Sequence, residues 1–160
     1  PMPFAYQRNN PIRVGEGWTV RDGGDLVVFG YGPWMLANAF EAAQQLEHES
    51  GPRVRLVNLP WLNRVDSAWL RNVLGHTRSV VTLDNHYVHG GQGMMIASAV
   101  AGLGLETPPR VTRIGVSALP QCGTNEEVLS HHHLGVPSLV QSFRAALSNA
   151  AVENRATQLT

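Results

Sequence analysis

The residues best suited to chemistry lie between Val80 and Ala101, in the run VVTLDNHYVHGGQGMMIASAVA. A β-branched apolar stretch stops at an acid, Asp84. A loop with His86 and His89 follows, and Gly90, Gly91 and Gly93 open a segment of small and apolar residues. A glycine loop at a helix N-terminus presents free amides and the positive end of the helix dipole, which together suit a small anion such as a phosphate. The spacing is neither the dinucleotide fingerprint nor a P-loop, since no Lys-Ser/Thr pair follows. The same glycines also serve a tight turn and a close helix–sheet approach, and this packing reading is the stronger. Asp84 is the best isolated acid, placed to cap or to accept from loop amides. His86 is the loop side chain to test first.

Other candidates carry less. Seven histidines suggest a metal, and His131-His132-His133 is the first place to look. Three successive helical residues point in three directions, so a zinc site would need His86 or His89 from elsewhere. Neither HExxH nor a cysteine pair is present, and no metal ligand is assigned. There is no GxSxG nucleophile elbow. Cys122, in the loop Pro120-Gln121-Cys122-Gly123, has no assigned histidine partner, and Glu126 and Glu127 read as solvated helix positions. Trp34, Trp61 and Trp69 near helix starts serve as core or interface anchors. No catalytic residue is assigned.

The elements that position these groups repeat in order. Leu26-Val27-Val28-Phe29 is a continuous apolar strand, as in sheets buried on both faces. Trp34 to His48 follows with Met35, Leu36, Ala39, Phe40, Ala43 and Leu46 on one helical stripe, stopped at Gly51-Pro52. Val54–Leu59 is a second strand, stopped by Pro60. Asp66 can cap a short helix over Ser67–Leu74. Val80–Leu83 is a third strand, Met94–Leu103 a third helix, and Val111–Val116 a fourth strand. Thr124 caps a helix over about Asn125–His132, and Ser138 to about Ala150 is the last. Ile12–Val20 is a weak strand, interrupted by Gly15 and Gly17. Repeated β-then-α units predict a mostly parallel sheet with helices on both faces.

The bulk numbers bound the rest. The chain has 160 residues, enough for one domain with a real core, and 43% are hydrophobic. Twelve basic and twelve acidic side chains cancel, so there is no electrostatic case for nucleic acid or an anionic membrane. No run approaches the roughly 18 consecutive apolar residues of a membrane helix. One cysteine rules out an intrachain disulfide and fits a cytoplasmic origin. Residues 1–11 read as a linker or an interior segment of a longer chain, 12–150 as the domain and 151–160 as a flexible tail.

Five pieces in order resemble the C-terminal domain of the transketolase group of thiamine-diphosphate enzymes, which takes in transketolase, deoxyxylulose-phosphate synthase and 2-oxo acid dehydrogenase beta subunits. Asp25 to Gly32 is similar to the group's G-D-strand-G opening, and Ala39 to Leu46 to its first helix. Val57-Asn58-Leu59 with Val65-Asp66 resembles V-I-D-L…P-L-D, with Arg64 in place of proline. Thr82 to His86 and Gly90 to Gly93 resemble T-V-E-E-H…G-G-L-G, with Asp84 and Asn85 in place of the two acids. Arg113-Ile114-Gly115-Val116, then Gly123 and Leu134-Gly135, resemble the R-I-G tail.

The resemblance implies a three-layer α/β/α sandwich around a five-stranded, mostly parallel mixed sheet. Its one antiparallel strand would be supplied by Ile12–Val20. It further implies a domain that is not catalytic alone and binds no cofactor itself. Thiamine diphosphate with Mg2+ or Ca2+ would be held by other domains of the parent. The domain would serve dimer assembly, in a homodimer, and the substrate entrance, with Asp84, His86, Gly90, Gly91 and Gly93 as its contact region. The departures at Asn85 and Ser117 leave the subfamily open. The alternative is a stand-alone small-anion or nucleotide-binding module using the Gly90–Gly93 helix start.

Overall fold

The computed structural model describes residues 11–157. The expected linker over 1–11 therefore lies outside the described residues except for Pro11, as do the last three residues of the tail. In chain order the elements are β1 (Trp18–Arg21), β2 (Leu26–Gly30), α1 (Pro33–Ser50), β3 (Val54–Asn58) and α2 (Ser67–Leu74). β4 (Ser79–Tyr87), α3 (Gln92–Gly102), β5 (Arg110–Val116), α4 (Asn125–His131) and α5 (Val136–Thr157) complete the domain. The five strands form one sheet in the order β1-β3-β2-β4-β5. β1 runs antiparallel to β3 and the other neighbours are parallel, the expected mixed sheet.

The antiparallel strand is shorter than the expected Ile12–Val20. Gly15 takes a left-handed φ of 81° and ends any extended run, and pairing starts only at Trp18, opposite Asn58. β4 is longer than expected, continuing past Leu83 to Tyr87, and α5 runs on to Thr157 rather than stopping near Ala150.

β2 is buried along its whole length, as its unbroken apolar sequence requires. Leu26 and Val28 face one layer with α1 and α5, through Met35, Ala39, Leu46, Leu139 and Phe143. Val27 and Phe29 face the other with α2 and α3, through Leu70, Leu74, Ile96 and Val100. Fully burying a side chain such as Phe29 contributes roughly 2–3 kcal/mol, and its ring also meets the edge of Trp69 at 6.2 Å.

Helix ends follow local chemistry. Pro33 sits in the first turn of α1, and Gly51 closes its last turn in the left-handed region. Asp66 accepts the Trp69 amide at 2.8 Å. Thr124 and Glu127 form a reciprocal capping box at α4, with the Glu127 side chain accepting the Thr124 amide at 2.8 Å.

The connections decide where a site can lie. From β2 the chain passes through α1 to β3 on one side. It then crosses back through α2 to β4 on the other side of β2. The winding reverses between β2 and β4, so the crevice at their carboxyl ends is where open α/β sheets take ligands.

Candidate functional site

Asp84 stands at that reversal point. The β4–β5 pairing is regular through Leu83 and Ile114, then resumes only at Tyr87 and Val116, so Asp84, Asn85 and His86 lie opposite Gly115 alone. The strand's alternation puts Asp84, at the start of this bulge, on the α3 side, the face it shares with Val80 and Thr82. A Cβ on Gly115 would lie 2.9 Å from the His86 carbonyl oxygen and 3.1 Å from Asp84 Cβ, so the bulge needs glycine there.

The Asp84 side chain is fully buried. Its Oδ1 accepts the Gln92 amide at 2.7 Å and the Tyr31 hydroxyl at 3.2 Å, and its Oδ2 accepts the Gly93 amide at 3.0 Å. Gln92 and Gly93 open α3, whose cap residue, Gly91, supplies no side chain. The acid at the end of β4 thus caps the following helix and meets its dipole. Its closeness to the helix explains two of the glycines. A Cβ on Gly91 would lie 2.7 Å from Asp84 Cγ, and one on Gly93 would lie 2.9 Å from Asp84 Oδ2 and run into Thr82 Oγ1.

The network extends across the carboxyl ends of three strands. Buried Gln92 donates through Nε2 to the carbonyls of Leu59 and Trp61, at 2.7 and 2.9 Å. Trp61 in turn donates through Nε1 to the carbonyls of Arg13 and Glu16, at 3.1 and 3.0 Å. Burial, reinforced by the charge of Asp84 and the bond to it, pushes the Tyr31 phenol up to about 12. Thr82 Oγ1 and Gln92 Oε1 are buried with no protein partner. A carbonyl oxygen and a hydroxyl are suited to a water rather than to an anion.

Of the five residues singled out from sequence, the fold brings Asp84, Gly91 and Gly93 together. It leaves Gly90 and His86 apart from them. Gly90 is exposed, with φ 78° and open space where a Cβ would stand. His86 is exposed, with Nδ1 3.1 Å from the Tyr87 carbonyl oxygen. Tyr31, Gln92 and Gly115 were not singled out. Tyr31 sat in view between two glycines, but its partner is 53 positions away.

The residues present do not fit thiamine diphosphate or its metal. The two α3 amides that could meet a phosphate already hold a carboxylate. No group of three or more His, Cys, Asp or Glu side chains among the described residues could hold a metal ion. The His131 and His132 rings stack edge-on at 5.0 Å, and Cys122 is exposed. No described helix is long and apolar enough to cross a membrane.

Fold and site define an open, doubly wound α/β domain whose ligand crevice is filled by its own side chains. The family model "Transketolase, C-terminal domain" matches residues 15–139, and the chain belongs to that family. It is 25% identical over 159 residues to a 1-deoxy-D-xylulose-5-phosphate synthase of Synechococcus sp. (strain JA-2-3B'a(2-13)), covering 99% of this chain and 24% of the relative. It is 30% identical over 115 residues to that of Rippkaea orientalis (strain PCC 8801 / RF-1), covering 72% and 18%. The chain thus spans about a quarter or less of these curated relatives.

Among solved structures, a split gene transketolase described as an inactive beta4 tetramer superposes with a TM-score of 0.76 at 28% identity. The match covers 92% of this chain and 46% of that one. Transketolase from Leishmania mexicana superposes with a TM-score of 0.60 at 20% identity over 84% of this chain and 18% of that one, a likeness of fold.

Proposed function

We propose that this chain is the C-terminal, non-catalytic domain of a thiamine-diphosphate-dependent transketolase-type enzyme of the transketolase or deoxyxylulose-phosphate synthase kind. Its work is structural. It supports assembly of a cytoplasmic homodimer and forms part of the wall of the substrate entrance. The cofactor and its Mg2+ or Ca2+ belong to other domains of the parent. One observation carries this reading: the switch-point crevice is closed by the bonds from Asp84 to Tyr31, Gln92 and Gly93. A domain of this fold that took its own cofactor would need those amides free.

The same observation weighs against a stand-alone anion-binding module, because an external anion would first have to displace a buried carboxylate. Titration calorimetry of the chain with thiamine diphosphate and magnesium, and separately with inorganic phosphate and ATP, tests both readings. Neither set should give saturable heat. Micromolar binding of thiamine diphosphate would refute the proposal, and micromolar binding of phosphate or ATP, lost in Gly91→Asp, would establish the module instead.

A further inference from the structure

The exposed large apolar side chains of the described residues all lie at one end of the sheet. Trp34 opens α1 after β2, and Leu62 lies in the loop after β3. Tyr87 ends β4, Met94 lies in the first turn of α3, and Leu119 follows β5. The four strands that lead to these residues are parallel, so their carboxyl ends share one rim. Ile12 and Val14 belong there too. β1 runs antiparallel with Trp18 opposite Asn58, the Trp61 indole holds the Arg13 and Glu16 carbonyls, and the Asp66 amide donates to Gly15 O at 2.8 Å.

The opposite end is different in kind. It carries exposed Asp22, Asp25, Arg53, His76 and Arg78. Ion pairs close it: Asp22 with Arg55 at 3.1 Å, Glu49 with Arg144 at 2.7 Å, and Arg21 with Glu47. That end is built for water. The rim, with a tryptophan, a tyrosine and a methionine exposed, has the composition of an interface.

We infer that the rim is the seat of the domain that precedes this one in a transketolase-type parent, whether in the same polypeptide or a companion subunit. The inference rests on the proposed function. What selects the occupant is the path of the chain. The family domain is C-terminal by definition, and it fills only 24% of one curated relative and 46% of the split transketolase chain. Most of such a parent therefore lies on the N-terminal side. Residues 12–16 reach the fold at the rim, so polypeptide arriving from that side meets the apolar end first. The filled crevice beneath makes the rim a firm platform rather than an open pocket, since Gln92 ties the loops after β3 and β4 together.

The test is hydroxyl-radical footprinting of the chain alone and with the preceding region, supplied in cis or as the adjacent gene product. In the complex, Trp34, Tyr87 and Met94 should lose most of their oxidation while His76 at the opposite end keeps its own. The double variant Leu62→Ser/Met94→Ser, on an unchanged fold by circular dichroism, should bind roughly thirtyfold or more weakly. Two outcomes overturn the inference while sparing the proposed function: association that protects another face, or rim protection that grows with concentration of the chain alone, which would seat a second copy there. If the preceding region neither associates nor binds thiamine diphosphate, the proposed function falls, and the inference with it.

Discussion

Removing the Asp84 side chain should damage this domain more than any loss of a surface acid. Asp84→Ala strips the acceptor from two buried amides and a partly buried phenol at once, and leaves a cavity between β4 and α3. Hydrogen bonds to a charged acceptor contribute about 1.5–3 kcal/mol each, but losses within one network do not add, so the expected cost is about 3–5 kcal/mol. Asp84→Asn divides the network. Because Oδ1 holds two donors and Oδ2 one, the amide can keep Gln92 and Tyr31 and set its NH2 against Gly93, at about 1.5–3 kcal/mol. Tyr31→Phe removes only the longest bond, at about 1 kcal/mol.

Urea unfolding followed by far-ultraviolet circular dichroism should return that order. Melting of the alanine variant should fall by roughly 8–15 °C, at about 2–4 °C per kcal/mol for a domain of this size. Formate should stabilise Asp84→Ala and leave the parent unchanged, because a free carboxylate can take the vacated place at the helix N-terminus. An alanine variant within about 1 kcal/mol of the parent, or equal formate effects on both proteins, would refute the account of Asp84 as the internal cap.

Other expectations follow from the same geometry. The Tyr31 phenol is raised to about 12 in the fold and lies near 10 when unfolded. The folded state therefore holds its proton more tightly, and the stability this adds is full below pH 10 and lost as pH rises toward 12. Discounted for partial exposure it is worth about 1–2 kcal/mol, and unfolding across that window should show Tyr31→Phe with a flatter decline. Gly93→Ala, driven into Thr82 and Asp84, should cost about 3 kcal/mol or more, whereas Gly102→Ala, with open space at its Cβ, should not destabilise; thermal melts distinguish them. Thr124→Ala should cost about 1 kcal/mol as a lost cap. The backbone amide of Thr124, and after it the hydroxyl, hold the Glu127 carboxyl below its ordinary range; the alanine variant keeps the amide, so carboxyl NMR titration should show it rising only part of the way back.

The strands β2, β3 and β4 and the stripe of α1 were legible because each is written in consecutive or regularly spaced apolar residues. The antiparallel β1 was legible as a weak strand but not in its extent, since pairing with β3 rather than local propensity decides where it begins. The bulge in β4 had no local mark. The residue that leaves room for it, Gly115, is on another strand. Asp84 was readable as an acid ending an inner strand before a glycine loop, the local half of the site. Tyr31 and Gln92 were not, because their bonds to Asp84 and to the loop after β3 join residues brought together only by the crossovers. His86 drew attention by type, yet β4 leaves the core after Asp84, and Asn85, His86 and Tyr87 are all exposed.

The capped start of α3 carries a consequence for what this fold can be made to do. Asp84 acts as a ligand that the chain synthesises for itself and keeps on a tether of a few residues. Such a tether gives an effective concentration on the order of millimolar or higher, before burial strengthens the contact further. A free carboxylate of similar intrinsic affinity would have to exceed that concentration to compete, and no solute is needed to satisfy the Gln92 and Gly93 amides. The domain is thus a receptor locked in its occupied state. A single truncation at Asp84, tolerated by a stabilised background, would return the crevice to use as an anion site.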